Sequence, residues 1–195
     1  MRIRYLLPIL ALGMLQACVT QKSYVDPQYR HASYNDLARV NPPYVLDVKV
    51  EFQRNGEDKP AVDRTVADRV SRSLRASGVA IPYDGHAPAD GQLNVIANNV
   101  VSLSGAAAKG FGTGLTLGLV GSHVTDNYEV TVRLTQGAAT IEREYPHSII
   151  TTVGNASGPA GVQPVAIGTA VDQVIDDVVL NFLKDMQAAG SLKPR

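Results

Sequence analysis

From Tyr44 onward apolar and polar positions alternate strictly, with Leu46, Val48, Val50 and Phe52 on one side and Asp47, Lys49 and Glu51 on the other. This is the pattern of a strand with one wet face. Asn55-Gly56 then marks a turn, and Val62, Val66, Val70 and Leu74 recur every fourth residue. With Pro60 suited to a first helical turn and Gly78 to a C-terminal cap, the spacing predicts a helix over about 60–77. A short strand or extended link is expected at Val79-Ala80-Ile81, and a longer strand over 92–103, with a bulge where Asn98-Asn99 interrupts its Val and Ile. Alternation returns at Tyr128, Val130, Val132 and Leu134, Gln136-Gly137 turns the chain, and 140–153 reads as the partner strand of a hairpin. A glycine-rich loop over 154–164 follows. Ile167, Val171, Val174, Ile175, Val178, Phe182 and Met186 then line one face of a last helix, with Asp172, Asp176, Lys184 and Asp185 off it. The expected fold class is α+β: an antiparallel sheet of about four strands with two helices packed on one face, spanning 44–195.

The first 43 residues break this pattern. Arg2 and Arg4 precede an apolar stretch from Tyr5 to Leu15, the build of a secretion signal and too short to span a bilayer, which takes roughly 20 apolar residues. Residues 18–43 are polar and proline-marked, carry Tyr24, Tyr29 and Tyr34, and end at Pro42-Pro43. The expectation is a flexible tether, whose 25 residues beyond Cys18 would span roughly 25 to 30 Å.

Leu15-Gln16-Ala17-Cys18 resembles the lipobox of bacterial lipoproteins. The resemblance implies removal of 1–17 as a signal peptide, diacylglyceryl and palmitate chains on Cys18, and a stable membrane anchor, since two or more acyl chains hold where one is marginal. In that family Asp directly after the cysteine retains the protein in the inner membrane. Val19 stands there, which implies the periplasmic face of the outer membrane. The element order after the anchor is similar to that of small outer-membrane lipoproteins of the LptE and YajG types, a resemblance of topology that brings over no binding residue.

Charge and motifs narrow the function further. Lys plus Arg and Asp plus Glu number 18 each, and loss of Arg2 and Arg4 with the leader leaves 16 basic against 18 acidic residues, a net charge of −2. Nucleic acid, which demands a basic face, is not an expected partner. Cys18 is the only cysteine, so there is no intramolecular disulfide and no CxxC motif. The run from Gly105 to Gly110 begins like a phosphate loop but places Phe111 where lysine is needed, and Gly110-Phe111-Gly112 opens a dinucleotide fingerprint whose third glycine position holds Leu115. His31, His86, His123 and His147 lack metal spacing, and Asp176-Asp177 diverge on their helix and read as solvated charges. The expectation is a protein with neither enzymatic activity nor cofactor or metal.

The unusual segment is 104–122, SGAAAKGFGTGLTLGLVGS, whose only charge is Lys109. Gly110, Gly114 and Gly118, with Ala106 and Ser122, form a small residue every fourth position, as in closely packed membrane helices. Phe111, Leu115, Leu117 and Leu119 also alternate with small residues, which describes a strand with one apolar face. These residues are the candidate contact with a partner or membrane. Three roles follow: a glycine-rich loop over the domain's own core, a strand inserted into an oligomeric barrel like the membrane hairpins of CsgG-type curli-secretion lipoproteins, or a segment docked into another envelope protein. The functional expectation is a membrane-anchored scaffold or assembly factor of the outer membrane. An oligomeric channel or secretion subunit is the alternative, and a lipid or lipopolysaccharide carrier the weaker one.

Overall fold

The computed structural model describes residues 21–101 and 122–194. Seven strands form one sheet: β1 (Gln21–Val25), β2 (Tyr44–Arg54), β3 (Glu57–Asp58), β4 (Ala80–Pro82), β5 (Gly91–Val101), β6 (Ser122–Gln136) and β7 (Ala139–Val153). Among the described residues there are two α-helices, α1 (Pro60–Ser77) and α2 (Ile167–Ala188). The strand order is β1-β7-β6-β5-β2-β3, with β4 also on β2.

The α+β class and the single helix-covered face agree with the sequence pattern, but the sheet is larger than four strands and is mixed. β5 and β4 pair parallel to β2, with Val48 opposite Leu93 and Tyr44 opposite Ala80. The reason is the crossover through α1, which returns the chain to the end where β2 began, so the next strands run the same way. The other long pairings, β5 with β6 and β6 with β7, are antiparallel.

Local chemistry explains the element ends. Asn55 and Gly56 adopt φ of 53° and 77°, the left-handed region that a tight turn requires. Asp63 in the first turn of α1 accepts the Phe52 backbone N–H at 2.8 Å, joining helix to strand, and Gly78 closes the helix at φ 67°. No bulge forms at Asn98-Asn99, which lie in unbroken register with Glu129 and Tyr128. Their polarity serves the neighbouring turn instead: Asn98 Oδ1 accepts from the Gly56 N–H at 3.0 Å, and the Asn99 carbonyl accepts from the Asn55 N–H at 2.9 Å.

The core lies between one sheet face and the helices. Leu46, Leu93, Val95, Val130, Val132, Leu134 and Ile149 meet Val66, Val70 and Leu74 of α1 and Val174, Val178, Phe182 and Met186 of α2 in one buried cluster. On α2, Val179, Leu180 and Leu183 are buried as well, while Ile167, placed by its spacing on the core face, is 44% exposed.

The second covering of α2 is the segment expected to be a tether. The described residues 21–43 are instead part of the folded body. β1 pairs with β7 from Gln21 opposite Val153 to Val25 opposite Ile149, and Ala32, Leu37 and Val40 are buried in the core. Polar side chains spaced along α2 bind the strap's backbone: Asn181 donates to the Tyr29 carbonyl and accepts from the His31 N–H, Lys184 donates to the His31 carbonyl, and Gln187 accepts from the Ala38 N–H. Within the strap, the Ser33 hydroxyl and N–H both donate to Asp36, which holds that carboxyl below its ordinary range.

Candidate functional site

Cys18 lies outside the described residues. So do Phe111, Leu115, Leu117, Leu119, Gly110, Gly114 and Gly118. What the structure gives is the frame to which both features attach. Gln21 pairs with Val153 and Val153 with Ser122, so the strand that begins three residues after Cys18 and the strand that follows residue 121 start at the same level, on either side of β7. Val101, the last described residue before the glycine-rich segment, pairs with Asp126, which pairs with Ile149, which pairs with Val25. Both sequence features therefore join the same end of the sheet.

At this end β6, β7 and β1 project past the rest. β2 stops at Arg54, level through Asn99 and Tyr128 with His147, six residues short of Val153. The loop over 154–165 folds back across the projection. Val165 forms a bridge to Ser23 with N–H···O distances of 3.1 and 2.8 Å, and His123 Nε2 lies 2.8 Å from the Ser157 carbonyl. Gly158 presses on the Tyr24 ring so closely that a Cβ there would lie 2.1 Å from Cζ. On the face beneath α2, the Ser23 and Thr151 hydroxyls bond at 3.2 Å and are buried.

Behind the projection sits a buried polar cluster that the sequence did not reveal. Asp177, read as a solvated charge, is 3% exposed. Its Oδ1 accepts from Arg30 Nε at 2.7 Å and its Oδ2 lies 3.2 Å from His147 Nε2. His147 Nδ1 accepts the Ser148 backbone N–H at 2.9 Å, which leaves Nε2 as the protonated nitrogen and donor to Asp177. This tautomer has a structural cause. Beyond Val25 the edge of β7 has no partner strand among the described residues, and the imidazole satisfies the donor that β1 no longer covers, while the Asp26 N–H donates to the Ser148 carbonyl at 3.2 Å. Pro146, two residues before, brings no donor to that open edge. The Tyr29 ring lies over His147 with centroids 5.2 Å apart. Both imidazole nitrogens are engaged, so the cluster is a clamp binding strap, sheet and α2 together. The available signal was the (i, i+4) placement of Asp177 and Asn181 beside the apolar stripe of the last helix.

A surface cleft of about 210 Å³ lies between α1 and α2, lined by Tyr34, Arg69, Arg72, Ser73, Asp172 and Asp176. Arg69 and Arg72 both bond Asp172, and the Ser73 hydroxyl donates to Asp176. Burial, and then the Asp176 charge, raise the Tyr34 phenol above its ordinary value. Among the described residues no three His, Cys, Asp or Glu side chains converge as a metal site, and no helix is long and apolar enough to cross a membrane.

No family model matches the chain, and no curated protein matches its sequence. Among solved structures it is similar to a Xanthomonas campestris protein described by the family model DUF330, at 15% identity and a TM-score of 0.40, covering 79% of this chain and 95% of that one. It is also similar to a dodecameric PelC from Paraburkholderia phytofirmans, at 15% identity and a TM-score of 0.33, covering 87% of this chain and 97% of that one. Likeness of this degree assigns neither function nor assembly to this chain.

Proposed function

We propose that the chain is a lipid-anchored, non-enzymatic protein of the outer membrane's periplasmic face, which scaffolds or assists an envelope assembly through the apolar segment 104–122. The observation that carries this reading is the lipobox Leu15-Gln16-Ala17-Cys18, followed after two residues by a strand that flanks β7 on one side while the strand leading out of that segment flanks it on the other. Anchor and apolar stripe, far apart in sequence, thus join the fold at one end. A segment that belongs at a membrane or a membrane-bound partner has reason to leave the fold there.

The second reading, an oligomeric subunit that inserts residues 110–121 into the bilayer, draws support from the register at the segment's exit. Ser122 is already paired with Val153 as a strand residue, and about 9 to 11 strand residues span an outer membrane. A lone strand would leave its backbone unsatisfied in lipid, so insertion requires several copies. The lipid-carrier reading has less support, because Leu46, Leu74, Leu93, Leu134, Ile149, Phe182, Leu183 and Met186 are fully buried where an apolar cavity would have to open.

The direct test is Cys18→Ser with fractionation and mass analysis. An unlipidated, uncleaved precursor held in the inner membrane is expected. Normal processing and recovery in the outer-membrane fraction would remove the anchor and with it the proposal.

A further inference from the structure

We infer that the mature protein stands end-on at the membrane, with the Gln21–Val153–Ser122 end of its sheet against the lipid headgroups and the β6–β7 hairpin pointing away. The occupant of this docking surface is the bilayer that holds the protein's own acyl chains, so the inference rests on the lipid-anchor reading of Cys18.

Three observations carry it. The first is the length of chain between lipid and fold. Only Val19 and Thr20 separate Cys18 from Gln21, and the three fully extended Cα-to-Cα steps reach about 10 Å. From Gln21 the chain is held: β1 is laddered to β7, Ser23 is bridged to Val165 on its other side, and Ser23, Tyr24 and Val25 are buried. The strap beyond is bound to α2 and by the Arg30–Asp177 ion pair. The slack that a free 25-residue tether would supply is therefore absent.

The second is charge. The outermost described rungs of this end and the loop after them, residues 21–24, 122–125 and 150–164, contain no Asp or Glu, and their only basic residues are Lys22 and His123, both exposed; Asp126 lies one rung further in, opposite Ile149. In a mature chain of net charge −2, an acid-free end suits an anionic headgroup surface. The third is apolar exposure. Ile167, two residues past the Val165 bridge, is one of the exposed large hydrophobic residues and lies on this side of the molecule.

Strand length makes the orientation measurable. β7 has 15 residues, and at about 3.4 Å each it carries the hairpin turn at Gly137-Ala138 roughly 50 Å from the anchored end. Cys18 is the only cysteine, and a thioether to lipid leaves it unreactive to thiol reagents. A cysteine introduced by Asn155→Cys or by Ala138→Cys, both exposed positions, is then the only site for a fluorophore. The full-length lipidated protein is placed in phosphatidylethanolamine–phosphatidylglycerol vesicles with a headgroup-attached quencher, and the Cys18 peptide is checked by mass for its acyl chains.

Quenching at position 155 is expected to exceed that at 138 by about fivefold or more, given the strand length that separates them. Ten Gly-Ser residues inserted between Thr20 and Gln21 should bring the two close to equality. Equal quenching at 155 and 138 in acylated protein overturns the end-on orientation and leaves the lipoprotein reading intact. Strong quenching at 155 that survives the insertion overturns the short-leash argument. An unacylated Cys18 removes both readings.

Discussion

His147 Nε2 lies 3.2 Å from Asp177 Oδ2, with the two side chains 1% and 4% exposed, and this contact joins the central part of β7 to α2. Arg30 holds the other carboxylate oxygen from a half-exposed position on the strap. Removing the carboxylate by Asp177→Ala strands the buried imidazole N–H and takes away the strap's ion pair, a loss of about 2–4 kcal/mol in chemical denaturation. Arg30→Ala should lose no more than about 1 kcal/mol, since water can reach that side of the pair. A double-mutant cycle of Asp177→Ala with His147→Ala should show coupling; simple additivity would break the clamp assignment.

Gly158 against Tyr24 gives a second test. Any side chain at 158 must displace the ring or lift the loop over 154–164, so Gly158→Ala is expected to destabilise by about 1–3 kcal/mol and to increase proteolysis within that loop. In a Tyr24→Ala background the same substitution should cost less, since the ring it displaces is gone. Wild-type protection of the loop in the single variant would contradict the packing described.

Alkaline pH probes the core from another side. Burial, aided by the Asp126 charge, pushes the Tyr128 phenol up to about 12 from its ordinary 10.0. A raised folded-state value means the contribution is present in full below pH 10 and is lost as pH climbs through about 12, because the unfolded chain ionises first. The loss amounts to about 2–3 kcal/mol. Tyr145, whose hydroxyl donates to Asp185 at 2.6 Å, is raised further, first by burial and then by that bond. Denaturation midpoints measured from pH 9 to 12 should fall less steeply for Tyr128→Phe than for the wild type, and parallel curves would place the phenol in water.

The register across the gap leads to a fourth expectation. Val101 and Asp126 are already paired, so a short Gly-Ser turn in place of 106–121 can join β5 to β6 without disturbing the ladder. The shortened protein should melt within about 1 kcal/mol of wild-type stability, the range of changes that touch no core contact, and should fail to complement a deletion strain. If the insertion reading holds, oligomer size in detergent should fall as well. Full complementation would reduce the segment to a tolerated loop, and failure to fold would make it part of the core.

The elements legible in the sequence are those whose information is local. The alternation from Tyr44 to Phe52 and from Tyr128 to Leu134, and the four-residue recurrence from Val62 to Leu74, report which side of one strand or helix meets apolar surroundings, and the observed core uses those sides. The turns at Asn55-Gly56 and Gly137 were equally readable, because positive φ is chemically selective. The lipobox is likewise a local pattern. Non-local partners were not readable. Nothing in QKSYV at 21–25 announces that it will pair with Ile149 to Val153 across the chain, since five residues of polar and aromatic character satisfy a loop as well as an edge strand. The parallel direction of β5 followed from the crossover path of α1, and the burial of Asp177 from a strap and an imidazole that arrive from distant parts of the sequence. Periodicity records how polar a residue's average surroundings are. It cannot record that a charge is buried when its partner is brought in by the tertiary fold, and for that reason the tether reading gave way to a strap that leaves only two residues between Cys18 and the folded sheet.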